Sequence, residues 1–121
     1  MILTAQDLVA AAKKNIKEID VPSAKADLSK YLILDVRAPG EFVSGSIPGA
    51  INITRGLLEF KIENHPDFKD KRDADILVYC QTGGRAALAT ETLNKMGYVK
   101  AVSLAGGFNA WQESNEVNDD D

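Results

Sequence analysis

The stretch ILVYCQTGGRAALAT, residues 76–90, decides how the rest of the chain is read. Its apolar run from Ile76 to Tyr79 has no polar break, as expected of a strand buried on both faces of a parallel sheet. The run ends on Cys80, the only cysteine in the chain. A glycine-containing loop follows, and the pattern then turns helical over 83–97. Ala87, Leu88, Leu93 and Met96 are expected to face inward, and Gly97 is expected to stop the helix. A strand that passes through a tight loop into a helix belongs to an α/β sheet. In such sheets ligands bind beyond the carboxyl ends of the strands, which is where Cys80 stands.

The same alternation extends outward. YLILDV (31–36) is a second buried-strand pattern, and the Pro-Gly turn of PGEF (39–42) leads into about one helical turn. AINI (50–53) is a β-branched run behind another Pro-Gly turn. RGLLEFKIEN (55–64) places Leu57, Leu58, Phe60 and Ile62 on a partial helical stripe. HPDFKDKRDAD (65–75) reads as a solvated loop whose charge run includes Lys71 and Arg72. VKAVSLAGG (99–107) predicts a further strand and a glycine turn, and FNAWQES (108–114) a last short helix anchored by Phe108 and Trp111. Upstream, Leu8, Val9, Ala12, Ile16 and Ile19 recur at helical spacing over residues 4–19. Thr4 is the expected N-cap, Asp7 lies near the positive end of the dipole, and Pro22 is the expected stop. Strands alternating with helices predict one α/β domain over residues 1–121 with a mostly parallel sheet. Residues 113–121 read as an acidic, flexible tail whose NEVNDDD end is expected to fray.

The formal net charge of −4 disfavours nucleic-acid and anionic-membrane partners, because phosphate binding needs a basic surface. Any anion chemistry must then rest on a local arrangement of donors. One cysteine allows neither an internal disulfide nor a CxxC redox pair, and one Cys with one His does not make a four-ligand zinc site. The N-terminus lacks the basic start and continuous apolar stretch of a signal peptide, and no window has the length of a membrane span. The chain is expected to be cytoplasmic, unless a leader was removed ahead of Met1.

Free cysteine is often inert packing. Against that, the loop Gln81, Thr82, Gly83, Gly84 is able to curl and turn its N–H groups inward, where a helix N-terminus makes a nest for an anion. A side chain at Gly83 or Gly84 is expected to block those groups. A thiolate at Cys80 gains the nest, the helix dipole and the cation of Arg85, and alkylation is expected below the pH at which a free thiol reacts. A Cys–His pair would require His65, which stands in a polar loop before Pro66 and reads as a solvent-exposed residue. With no evident general base, the reaction should suit a thiolate already formed and a leaving group that needs no proton. A sulfane-sulfur donor meets that condition.

Three ordered motifs resemble the rhodanese, or sulfurtransferase, family in its single-domain form, over about residues 30–112. They are LILDVRAPGEFVSGSIPGAINI (32–53), with Asp35, Arg37, Glu41 and Phe42 in place, YCQTGGRAALA (79–89), and LAGGFNAW (104–111). The resemblance implies a three-layer fold with a parallel sheet of about five strands and helices on both faces. It implies that Cys80 takes up a sulfur atom as a persulfide, cradled by the backbone N–H groups of Gln81 to Arg85, and passes it to a nucleophile. The implied donor is a small sulfur anion, thiosulfate or a polysulfide. The implied acceptor is a thiol, cyanide or a protein, and no metal or organic cofactor is implied. Four residues separate Cys80 from Arg85, and the related phosphatases have one more, so the loop favours sulfur over phosphate. Ser46 stands where the family often has a histidine, which leaves Asp35 needing another partner.

Arg37 and Glu41 are expected to form a structural ion pair rather than contact substrate. Asp35, at the carboxyl end of a strand, stands where functional residues are expected, and the resemblance implies a scaffolding role in the loop instead. Arg55, just after a strand, is either an anion-steering group at the site mouth or a surface arginine. The leading expectation is a sulfurtransferase working through a Cys80 persulfide; the alternative is a carrier or thiol-sensing module with little turnover.

Overall fold

The computed structural model describes residues 1–117. Helix α1 (Ala5–Lys13) leads to strand β1 (Glu18–Ile19), and helix α2 (Val21–Ala26) to strand β2 (Leu32–Asp35). Helix α3 (Pro39–Ser44), strand β3 (Ile51–Asn52) and helix α4 (Leu58–Lys61) follow. Strand β4 (Ile76–Tyr79), helix α5 (Gly84–Lys95), strand β5 (Ala101–Leu104) and helix α6 (Gly107–Val117) complete the order. The five strands form one parallel sheet in the order β1-β5-β4-β2-β3.

Side chains along a strand alternate between faces, and the core divides accordingly. Ile76 and Val78 point to the face covered by α4 and α5, where Leu58, Ile62, Ala86, Ala89 and Leu93 are buried. Leu77 and Tyr79 point to the other face, under α2 and α6, with Val21, Ala24, Phe108 and Trp111. Each sheet face thus has its own helical layer. Among the described residues no helix is long and apolar enough to cross a membrane.

Several expectations need correction. Thr4 does cap α1: its Oγ1 accepts the Asp7 N–H at 3.1 Å, and the Asp7 carboxylate accepts the Thr4 N–H at 2.9 Å. The helix ends at Lys13, however, not near residue 19. Glu18 and Ile19 instead form an edge strand beside β5, where the Ser103 N–H donates to Lys17 O and the Ala105 N–H to Ile19 O. Pro22 stands in the first turn of α2 and so starts a helix, where its missing N–H costs nothing. Leu58 and Ile62 are buried as expected, but Phe60 is 83% exposed and Leu57 is also exposed. The 65–75 connection is tethered rather than merely solvated. Phe68 is fully buried and the Arg72 guanidinium covers the Tyr98 ring at 4.2 Å. In the acidic tail, residues 115–117 continue α6, and residues 118–121 lie outside the described residues.

The strand order decides where a ligand can sit. The chain leaves β2 toward β3 on one side and leaves β4 toward β5 on the other, and β2 and β4 are neighbours. Their carboxyl ends are therefore the topological switch point, where diverging connections leave a crevice. Asp35 pairs in register with Tyr79 there, so Val36–Arg37 and Cys80–Gln81 emerge side by side.

Candidate active site

Cys80 follows the last residue of β4 and is 1% exposed. Its Sγ accepts the Gly83 N–H at 3.1 Å and the Ala86 N–H at 3.3 Å. Ala86 lies in the first turn of α5, whose N–H groups have no intrahelical acceptor. Among the described residues, the N–H groups of Thr82, Gly84 and Arg85 find no acceptor either. The sulfur therefore sits at the positive end of a twelve-residue helix. Ala86 was not among the donors expected from sequence, although the helix start near 83 already implied free N–H groups through the first turn.

Peptide groups that turn N–H inward must turn C=O outward, and those carbonyls need partners. The N-terminus of α6 supplies them. The Phe108 N–H donates to Cys80 O at 2.8 Å, and the Asn109 N–H to Gln81 O at 3.0 Å. The close approach needs a glycine at 107. Its φ is +59°, and a Cβ there would stand 2.5 Å from Cys80 O and 2.7 Å from Gln81 O. Gly107→Ala is expected to destabilise the protein by about 2–3 kcal/mol and to lower activity with it, because the loop must move to admit the methyl group. An unfolding midpoint equal to wild type would contradict this. Gly83 is needed for conformation, with φ at +119° and no close neighbour to a Cβ. The expectation for Gly84 does not hold on steric grounds: a Cβ there makes only an ordinary contact with Val9, at 3.7 Å.

Beside the loop lies a buried ion pair. Arg37 is 2% exposed and Asp35 is fully buried. The Arg37 Nη2 donates to Asp35 Oδ2 at 2.7 Å, its Nε to both carboxylate oxygens at 3.1 Å, and its backbone N–H to Oδ1 at 2.8 Å. The remaining guanidinium donors reach Gly45 O at 2.6 Å and Gln81 Oε1 at 3.0 Å. The guanidinium carbon lies 4.5 Å from the centroid of the Phe108 ring. Arg37 thus ties the ends of β2 and α3 to the first residue after Cys80, and the Gln81 amide donates onward to Asn109 Oδ1 at 2.6 Å. Burial raises the Tyr79 phenol far above its ordinary range, so the hydroxyl stays neutral and its oxygen accepts the Ile47 N–H at 3.1 Å.

The expected Arg37–Glu41 pair is not formed. Arg37 belongs to Asp35, and Glu41 takes Arg85 in a two-bond contact, at 2.7 and 3.0 Å. Asp35 consequently has its partner in Arg37. The Arg85 side chain closes the loop against α3. Hydrogen bonds from Arg85 and from the Ala38 N–H hold Glu41 down at about 2. A depressed carboxylate stabilises the fold above its ordinary value near 4.5 and loses that contribution as pH falls toward 2. The stability difference between wild type and Glu41→Gln should therefore be constant above about pH 5 and vanish between there and pH 2. With both side chains more than a third exposed, the gap should not exceed about 1 kcal/mol. A gap that widens on acidification would contradict the pairing.

Two sequence candidates stand elsewhere. The Arg55 guanidinium turns to Glu59 at 3.0 Å and Thr92 at 3.3 Å, along the flank of α5 rather than at the loop. His65 is half-buried; its Nδ1 accepts the Asp67 N–H at 3.1 Å and its ring meets Phe68 edge-on. A cavity of about 450 Å³ opens between α3 and α6, lined by Arg37, Gly40, Glu41, Ser44, Gly45, Gln81, Phe108 and Gln112.

Residues 12–114 match the rhodanese-like domain. A protein of Allochromatium vinosum named sulfurtransferase is 32% identical over 99 residues, covering 79% of this chain and 88% of its own. The human thiosulfate:glutathione sulfurtransferase is 31% identical over 90 residues, covering 67% and 78%. Among solved structures, a Rhodopseudomonas palustris protein described as a possible tyrosine phosphatase superposes with a TM-score of 0.83 at 32% identity, covering 95% and 93% of the two chains. The human single-domain sulfurtransferase superposes with a TM-score of 0.73 at 29% identity, covering 79% and 95%.

Proposed function

Because this chain belongs to the rhodanese-like domain family, whose members include proteins named sulfurtransferase, we propose that it transfers sulfane sulfur through a persulfide on Cys80. The observation that carries this reading is the Cys80 sulfur held by the Gly83 and Ala86 N–H groups at a helix start. The Cys80 thiolate attacks the outer sulfur of thiosulfate. One sulfur–sulfur bond forms, another breaks, and sulfite leaves with the electron pair as a stable anion that needs no proton. The terminal sulfur of the persulfide carries charge, which the nest and the dipole of α5 are suited to hold. An acceptor thiolate or cyanide then attacks that terminal sulfur and returns the electron pair to Cys80. A relative named for thiosulfate and glutathione supports this donor.

Phosphoryl chemistry fits less well. Only four residues separate Cys80 from Arg85, and the Arg85 guanidinium is committed to Glu41 outside the nest. A phosphate dianion would want that guanidinium turned inward. The test is direct: after incubation with thiosulfate, intact mass should rise by one sulfur atom, and cyanide should discharge it as thiocyanate. A protein that never gains the atom from thiosulfate but gains it from a protein persulfide would be a carrier instead.

A further inference from the structure

Resting on the sulfurtransferase reading, we propose that Asn109 is a positioning residue for sulfur transfer: it clamps Gln81 and through it holds the loop donors on the Cys80 sulfur. Gln81 is the first residue after the nucleophile, and Asn109, in the first turn of α6, lies 28 positions further along the chain. Two hydrogen bonds join them. The Asn109 N–H donates to Gln81 O at 3.0 Å, and the Gln81 Nε2 donates to Asn109 Oδ1 at 2.6 Å.

The side-chain bond follows from the network behind it. A guanidinium only donates, so the Gln81 Oε1 has to face Arg37, whose Nη1 reaches it at 3.0 Å. That turns the Gln81 Nε2 the other way, where it requires an acceptor, and Asn109 Oδ1 is that acceptor. Arg37 is itself held by the fully buried Asp35 carboxylate. One end of the series Asp35, Arg37, Gln81, Asn109 is thus anchored in the core, and the other ends on an exposed side chain of α6. The residue beside the sulfur is pinned by groups that do not touch the sulfur. Donors stabilise a reacting atom only while they are held in place, and that is what the clamp supplies. The outer sulfur of thiosulfate reaches those donors as its bond to Cys80 forms, after the anion has bound. Loosening the clamp therefore lowers the maximal rate of sulfur uptake and leaves thiosulfate binding as it was.

Asn109→Ala in the full chain tests this. The backbone bonds from Phe108 and Asn109 to the loop do not need the side chain, so the unfolding midpoint should stay close to that of wild type. Single-turnover sulfur uptake, followed by intact mass at saturating thiosulfate, should be about fivefold slower, the weight of one ordinary hydrogen bond. The half-saturating thiosulfate concentration and the final loaded fraction should not change. Gln81→Ala should slow uptake at least as much, and adding Asn109→Ala to it should slow it no further, because Asn109 acts through Gln81. Uptake at the wild-type rate, effects that multiply in the double variant, or a loss confined to the loaded fraction overturns the assignment. A second measurement does not depend on turnover: Asn109→Ala should shift the backbone amide resonances of Gly83 and Ala86, whose N–H groups hold the sulfur. Shifts confined to the neighbours of residues 81 and 109 would show that the clamp does not reach those donors, and overturn it. The shifts at Gly83 and Ala86 in a protein whose wild type takes up no sulfur would keep the clamp and remove the transfer reaction.

Discussion

Cys80→Ser should take up no sulfur from thiosulfate, and its thiocyanate formation should fall by on the order of 10³-fold or more. The substitution is nearly isosteric, and the Gly83 and Ala86 N–H groups that now point at Sγ would still find an acceptor in the hydroxyl. The loop and its α6 contacts should therefore persist, and the unfolding midpoint should stay close to that of wild type. What disappears is the sulfur nucleophile. Intact mass after thiosulfate treatment and a thiocyanate assay read the two halves of the reaction separately. Equal turnover by wild type and variant would remove Cys80 from the mechanism.

Arg37→Leu should cost about 4 kcal/mol of stability, the usual consequence of breaking a buried ion pair from one side. Asp35 is fully buried, and of its four contacts from residue 37 its carboxylate would keep only the backbone N–H. Gly45 O and Gln81 Oε1 would lose their guanidinium partners at the same time. The double variant Asp35→Leu, Arg37→Leu should recover part of the loss, because it leaves no isolated buried charge. Urea unfolding of the two variants tests this, and a double variant no more stable than Arg37→Leu would show that the charge is not the cause. Activity should fall further than stability predicts, since Gln81 is held from one side by Arg37 and from the other by Asn109.

The strands around the site were legible in sequence because a strand covered on both faces reads as an unbroken apolar run. Ile76–Tyr79 has that form throughout, Leu32–Asp35 keeps it up to its final aspartate, and Ala101–Leu104 is interrupted only by Ser103; most of their residues are buried. Glu18–Ile19 was not legible. A two-residue strand carries no periodicity, and it exists because β5 offers an open edge beside it. The nest around Cys80 could also be anticipated, since its donors are main-chain groups whose direction follows from a glycine loop entering a helix. The role of Gly107 and of the first turn of α6 could not, because those residues lie more than twenty positions away and meet the loop only after the sheet has closed.

The sequence by itself determined the α/β alternation, the strand-end cysteine and the six-residue span from Cys80 to Arg85. These are local properties, written in apolar runs, glycines and spacing. Tertiary structure alone decided which charges pair. Asp35, Arg37, Glu41 and Arg85 allow more than one arrangement on paper. The chosen one follows from burial: Arg37 and Asp35 share a water-excluded space where each requires a partner, which leaves Glu41 and Arg85 to each other at the surface.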